Sequence, residues 1–379
     1  MSFKSKVYKI WKVLSERKSR EHYRNLYKAE YEYYNAYKNK KSSSVMKKEM
    51  KALQKYWGCY PFQYIRYGMY RNDCKMSIEE MKDYIPNYFA YYLFFPKIYK
   101  DYGVISEDKM LTYQVFESLR IKQPKLLLHY TNGMFYDNRR NFISDKIVNE
   151  LIEQSRAEKL FLKPTTGLGG KGILVFNKKE KFVTEEGDEI SARFIQNTLG
   201  QHENYLLQEG VQQHEELNKI YPHSVNTFRV NTMIVDGKAK ILFSFLRMGR
   251  GGGQLDNASL KGFVCRVDQE SGEFASVGTS KLFTKIDKHP DTNFQFKGYT
   301  FPYWEEVKQF VLIAANKLEN IGCAGWDVAY STDGPQIIEI NAGAGLQSLQ
   351  DNYGGVRTAF GIDNPKKYWY NNNFAVKDL

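Results

Sequence analysis

One stretch, Gly325 to Gly345 (GWDVAYSTDGPQIIEINAGAG), limits what this chain can become more than any other. Two short runs, Trp326 to Tyr330 and Gln336 to Ile340, flank Ser-Thr-Asp-Gly-Pro. Those residue types favour a turn over a continuing strand, so the stretch reads as a β-hairpin. A symmetric five-residue loop sets Asp327 opposite Glu339 and Gly325 opposite Asn341. Side chains alternate between faces with period two, so all four share one face. The other face receives Trp326, Val328, Tyr330, Ile338 and Ile340 and is expected to point into the core. Two carboxylates and a side-chain carbonyl around one small gap repel one another unless a hard cation sits between them. Donors that are all oxygen, without Cys or His, suit Mg²⁺ better than zinc, and Mg²⁺ takes its remaining ligands from phosphate and water. An isolated E-x-N is also the ordinary mark of a hairpin with a polar solvent face, so the rest of the chain has to decide.

With 379 residues the chain can bury a real core in two or three domains. No apolar run approaches the roughly 18 residues of a membrane span. The opening MSFKSKVYKIWKVL has charge but neither a long apolar stretch nor a small-residue cleavage site, so no signal peptide is expected. Cys59, Cys74, Cys265 and Cys323 lie far apart without a C-x-x-C pair. That fits a reduced cytosol better than a disulfide framework or a zinc site. The formal charge is +12, and residues 1–60 hold 16 Lys/Arg against 5 Asp/Glu. Basicity therefore belongs to the amino-terminal segment and not to the hairpin.

In that segment Val7, Ile10, Trp11 and Leu14 recur at helical spacing among lysines and arginines, and Tyr23, Tyr27, Tyr31 and Tyr34 continue a similar stripe. A basic amphipathic helix of this kind suits an anionic membrane surface, where each nearby Lys or Arg adds about 1 kcal/mol. It equally suits packing on its own domain or an oligomer contact. Nucleic acid is not an expected partner, because no reader motif accompanies the charge. Asn39 to Ser44 breaks the pattern before a helix near Val45 to Tyr56. The aromatic run Tyr84, Tyr88, Phe89, Tyr91, Tyr92, Phe94 and Phe95 is expected to be core before it is a sugar-stacking platform.

Further on, Ser106 to Leu119 reads as a helix with acidic residues in its first turn, where Lys109 is an odd partner. Lys125 to His129 reads as a strand and Asp145 to Ser155 as a helix. Leu160 to Phe176 (LFLKPTTGLGGKGILVF) gives two apolar strands around a glycine-rich loop. Glycines let backbone N–H groups approach a polyphosphate, and Lys163 and Lys171 add charge. The Lys-Ser/Thr ending and following helix of a Walker loop are missing. Asn204 to Val211 looks like a strand running into a hinge. Thr227 to Val235 and Lys238 to Met248 form a hairpin around Asp236-Gly237. Arg229 lies inside the first of these strands and needs a phosphate or carboxylate as counter-charge. A basic loop from Arg247 to Gln254 and then Asp256-Asn257 follow. Pro302 to Leu318 is a helix with Val307, Phe310, Val311 and Ala314 on one face.

Taken in order, these parts resemble the ATP-grasp superfamily: Asp108-Lys109 opening a helix, Lys163 before a glycine loop, Gln208-Glu209 at a hinge, Ser224 to Arg229, Asp256-Asn257, Trp326-Asp327 and Glu339-Ile-Asn341. Within it the chain is similar to the sugar-transfer-associated group found with bacterial surface-polysaccharide genes, from about residue 106 to 350. The resemblance implies an α+β ATP-grasp fold, with two α+β subdomains clasping ATP behind a basic, mainly helical amino-terminal region. The corresponding segments are 1–105, 106–210 with the glycine loop, and 211–379 with the metal site. It also implies that Lys109, Lys163 and Gln208 bind ATP and that the loop from Thr165 to Gly172, including Gly167, Gly169, Gly170 and Lys171, closes over its phosphates. Glu209, Gly210 and Val211 would form the adenine hinge. Asp327, Glu339 and Asn341 would hold one or two Mg²⁺ ions. Arg229, Arg247 and Asn257 would hold the γ-phosphoryl group or a substrate carboxylate.

The implied activity is an ADP-forming carboxylate-amine ligase working through an acylphosphate. Its substrates would be a uronic-acid-type sugar carboxylate, free or lipid-linked, and an amino acid or amine, in capsular or O-antigen polysaccharide synthesis. The place of work would be the cytoplasm or the inner face of the membrane. The alternatives are an ATP-dependent kinase of a sugar or lipid-linked acceptor, and a nucleotide-binding partner of glycosyltransferases without turnover.

Overall fold

Alternating apolar strands with tight polar turns dominate the middle of the chain and fold into two antiparallel sheets. A computed structural model describes residues 27–167, 170–253, 262–274, 278–280 and 285–370, with isolated positions 17, 21, 24 and 25. The helix expected at Val7 to Leu14 and the first tyrosine of the stripe, Tyr23, lie outside the described residues. Residues 99–344 form one compact unit, and residues 1–98 with 345–379 form another.

The first sheet of the 99–344 unit contains β1 (Leu126–Thr131), β2 (Met134–Tyr136), β3 (Phe142–Ile143), β4 (Lys159–Pro164), β5 (Leu174–Lys178), β6 (Phe182–Val183) and β7 (Tyr205–Glu209), ordered β3-β2-β1-β7-β4-β5-β6. The second contains β8 (Thr227–Val235), β9 (Lys238–Met248), β10 (Phe263–Arg266), β11 (Gly278–Ser280), β12 (Lys285–Ile286), β13 (Cys323–Ser331) and β14 (Gly334–Ala342), ordered β12-β11-β10-β9-β8-β13-β14. Strands adjacent in both sequence and sheet order pair antiparallel. The non-local neighbours β1–β7, β4–β7 and β8–β13 set the rest of the order.

Each sheet buries one face. Leu128, Tyr130, Leu160, Leu162 and Phe176 pack with Val148, Ile152 and Ile195 from the helices Asp145–Gln154 and Ala192–Thr198. Phe228, Val230, Leu246, Trp326, Val328 and Ile340 pack with Val307, Val311 and Ala314 of the helix Trp304–Lys317. The expected helix and hairpin elements here form with ends shifted by a few residues at most. Asp236 and Gly237 have φ of 54° and 73°, the left-handed pair of a type I′ turn, which matches the right-handed twist of β8 and β9.

The hairpin β13–β14 pairs Asp327 with Glu339 and Gly325 with Asn341, as the sequence led us to expect. The route to that register differs. Pairing continues to Ser331 opposite Gly334, so the connection is Thr332-Asp333 with Gly334 at φ 92°, shorter than the five residues expected. A bulge between Asp327 and Val328 absorbs the one-residue difference. In consequence Ile337 enters the core at 1% exposure, and Ile338, expected beside Ile340 on the core side, faces the opposite way.

In the other unit, α1 (Lys28–Ala36) precedes α2 (Ser43–Trp57), whose N-cap Ser42 accepts from Val45 N–H and whose C-cap Gly58 is left-handed. Phe89, Phe94 and Phe95 are buried, whereas Tyr91 and Tyr92 are 42% and 55% exposed, so the aromatic run divides between core and surface. Arg66 joins Asp351 at 2.7 Å and Trp369 Nε1 donates to Trp57 O at 2.7 Å, which ties the carboxy-terminal segment to this unit. No helix among the described residues is long and apolar enough to cross a membrane.

Candidate active site

The polar face of the second sheet is laid out in rows across three strands. Glu339, Asp327 and Arg229 form one row, and Asn341, Gly325 and Asn231 form the next. Asp327 is 3% exposed and is gripped on both oxygens by Arg229, through Nε at 2.5 Å and Nη2 at 2.8 Å. Arg247, one strand further, reaches Asp327 Oδ1 at 2.9 Å. Burial alone would push this carboxyl up, but the two guanidinia hold it below its ordinary value. Glu339 behaves oppositely. Burial first, and then the Asp327 charge, push its carboxyl up, and its nearest described cation, Lys109 Nζ, is 3.8 Å away.

The first sheet and one helix face this row. Asp108 caps the helix α3 (Lys109–Leu119), its Oδ1 accepting from Met110 and Leu111 N–H. Lys109 is therefore the first helical residue and not part of an acidic first turn. Its own N–H donates to Thr165 O at 2.7 Å, and its ammonium donates to Gly167 O at 3.2 Å. Lys163, at the end of β4, donates to Gln208 Oε1 at 3.0 Å. Desolvation pushes the Lys163 ammonium down to about 8, with Glu339 opposing the shift and Lys109 adding to it. Between β4 and β5, Gly167, Gly170 and Gly172 take φ of 115°, 75° and 75°, a conformation open to glycine without strain. After β7, Gly210 N–H donates to Lys159 O at 2.8 Å, while the Glu209 carboxylate takes Lys125 Nζ at 3.0 Å and Ser155 Oγ at 2.9 Å.

One cleft gathers most residues singled out in the sequence: Lys109, Lys163, Gly167, Gly170, Lys171, Glu209, Gly210, Val211, Arg247, Asp327 and Glu339 all line it. Gln208 stands beside it, holding Lys163. Arg229 and Asn341 lie in its floor rows without lining it. Thr165 lines a neighbouring polar cavity with Asp108, His129 and Arg140. Gly169 and Asn257 fall outside the described residues. The apolar walls, Phe161, Ile173, Val225 and Ile338, escaped the sequence reading. Only the bulge puts Ile338 there, and isolated apolar strand residues give no local sign of lining a cleft.

Residues 93–358 match the sugar-transfer associated ATP-grasp family. The chain belongs to that family and has its fold. No curated protein matches the sequence significantly. Among solved structures it is similar to an N5-carboxyaminoimidazole ribonucleotide synthetase in complex with ADP, at 13% identity over 64% of this chain and 46% of that one, TM-score 0.37. It is similar to a D-alanyl-alanine synthetase A from Vibrio cholerae, at 12% identity over 70% and 65%, TM-score 0.40. A D-cycloserine synthetase matches at 14% identity over 69% and 70%, TM-score 0.39. The chain thus spans less than two thirds of the length of the first two.

The donor set at the floor fits a hard divalent cation with one qualification of roles. Glu339 and Asn341 offer oxygens, and burial raises the Glu339 carboxyl, a desolvation penalty that a bound cation would offset. Asn341 Nδ2 is buried without a partner among the described residues, which leaves its side chain unclaimed by the fold. Asp327 already shares both oxygens with Arg229, so it could join a cation only through its remaining lone pairs. Among the described residues no three His, Cys, Asp or Glu side chains cluster as a metal site.

Proposed function

We propose that the protein is an ATP- and Mg²⁺-dependent carboxylate-amine ligase, acting on a uronic-acid-type carboxylate and an amine in surface-polysaccharide synthesis. The observation that carries the reading is the excess of cations around one carboxylate pair. Lys109, Lys163, Arg229 and Arg247 surround Asp327 and Glu339, and Lys163 is desolvated with a neutral amide as its hydrogen-bond partner. A desolvated ammonium beside further cations calls for a polyanion, and the glycine loop supports a triphosphate as that polyanion.

In this reading Lys109 and Lys163 hold the phosphates, and Glu209 to Val211 border the base. Glu339 and Asn341, with Asp327 behind them, would hold Mg²⁺, which supplies charge neutralisation and alignment of the phosphates. The acceptor carboxylate oxygen attacks the γ-phosphorus; the bond to the β-phosphate oxygen breaks and ADP leaves. The amine then attacks the acyl carbon, phosphate departs with the C–O electron pair, and the amine proton passes to solvent or phosphate. Arg247 would steady the transferring group, and the glycine loop would keep water from the acylphosphate.

Purified protein supplied with ATP, Mg²⁺, a uronate and mixed amino acids should release ADP and phosphate only when both carboxylate and amine are present, with an amide in the product mass. Phosphate added to the sugar would instead establish a kinase, and AMP with pyrophosphate would reject the acylphosphate route.

A further inference from the structure

The open face of the first sheet carries a second cavity that the nucleotide reading leaves unused. One ladder row runs through Phe142, Tyr136, His129, Leu206 and Lys163 across β3, β2, β1, β7 and β4, so these side chains share a face. Met110, in the first turn of α3, packs with Leu206. Lys163 lies in the cleft on one side of that contact. His129 lies on the other, in an open cavity of about 360 Å³ lined also by Asp108, Thr131, Arg140, Thr165 and Asn204. That volume is in the range of ordinary small-molecule sites.

His129 is 4% exposed, and Arg140 Nη1 stands 2.9 Å from its Nδ1. A guanidinium can only donate, so Nδ1 accepts and the ring proton sits on Nε2. Burial first, and then the Arg140 charge, push this imidazole down to about 4, so it stays neutral. Its Nε2–H has no partner among the described residues. Asp108 spends Oδ1 on Met110 and Leu111 N–H, and its Oδ2 likewise has no partner among them. Arg140 takes a φ of 69°, in a turn where its N–H donates to Asp137 O at 3.0 Å, and such strained positions gather at ligand sites. On the same face, Met134 and Phe142 are 46% and 65% exposed and flank Tyr136, an apolar ledge beside the polar cavity.

We propose that the cavity and its ledge bind a neutral sugar ring, a saccharide site separate from the nucleotide cleft. It stands on these residues whether or not the cleft takes a nucleotide. A free donor on His129 and a free acceptor on Asp108 call for a group that both accepts and donates, which a hydroxyl does. A phosphate or carboxylate would suit His129 and Arg140 but meet the charge of Asp108. An amine would suit Asp108 but leave His129 unmatched beside a like charge on Arg140. Water could satisfy the polar groups but gives no use to an exposed aromatic ledge. A pyranose has both an edge of hydroxyls and a face of C–H groups that can lie against a ring.

The test is saturation-transfer difference NMR on the full-length chain, titrated with the methyl glycosides of glucose, galactose, mannose and N-acetylglucosamine. Together these vary the substituents at the second and fourth carbons. At millimolar concentration at least one should receive saturation, and excess ADP should not displace it. Phe142→Ser, at an exposed position, should weaken that binding about two- to tenfold. His129→Phe keeps a ring but removes the Nε2 donor, and should weaken it about tenfold. Phe142→Ser carries the test by itself if the buried substitution does not fold. Transfer to none of the four, displacement by ADP, or unchanged affinity in Phe142→Ser or in folded His129→Phe would overturn the proposal. Failure of ADP to bind would count against the nucleotide reading alone.

Discussion

The two pairs of cations around the cleft are used differently. Arg229 and Arg247 come from adjacent strands and converge on one carboxylate, Asp327, whose oxygens they hold at 2.5 to 2.9 Å. Lys109 and Lys163 come from a helix start and a strand end. They touch a carbonyl and an amide, and Lys109 stands 3.8 Å from the Glu339 carboxylate. A planar guanidinium with forked donors suits a fixed bidentate partner, whereas a compact ammonium can exchange partners and shift its proton affinity. The arginines therefore belong first to the architecture of the floor, and the lysines are left for the ligand.

That contrast breaks most sharply at Asp327. Asp327→Ala leaves two enclosed guanidinia without their partner and should cost about 3–5 kcal/mol of stability, read from denaturant unfolding. An unchanged midpoint would mean the arginines are not structural.

Lys163→Met should do the reverse. Nucleotide affinity should weaken by about 1.5–3 kcal/mol, the range for hydrogen bonds to charged groups, with melting unchanged or raised. The sign of its pH dependence follows from the lowered ammonium. Between about 8 and the ordinary lysine value of 10.5, the unfolded chain binds the proton that the folded chain has lost. Stability without nucleotide should therefore rise with pH across that window, and the rise should vanish in Lys163→Met. Because a bound polyphosphate favours the charged ammonium, nucleotide binding above pH 8 should take up protons, measurable by calorimetry in buffers of different ionisation enthalpy.

Gly325→Ala tightens the contact with Arg229 and Asn231 and should cost about 1 kcal/mol, read as stability and not as nucleotide affinity. The smallest stability effect is expected at Glu339. Its carboxyl is raised in the folded chain, so stability falls as pH rises through the window just above the ordinary carboxylate value, and Glu339→Gln should flatten that slope. The same variant should abolish ADP release while leaving the fold intact.

Much of this site could be read from neighbours in sequence. The alternation of Trp326 to Tyr330 and Gln336 to Ile340 places Asp327 against Glu339, and the left-handed preference of Asp236-Gly237 closes β8 on β9. The N-cap role of Asp108 is equally local, although a helix read from Ser106 put it inside the first turn. In each case residues at most about twenty apart interact through backbone geometry that their own side chains favour. The strand pairing that brings Arg229 to Asp327 spans 98 positions, and the contact of Lys163 with Gln208 spans 45. Nothing in either segment names its partner, because sheet order follows from which apolar faces can be buried together. The bulge after Asp327 belongs to the same class. It reconciles a two-residue turn with the carboxylate register, and the packing of Ile337 and the release of Ile338 to the cleft wall follow from the folded sheet alone.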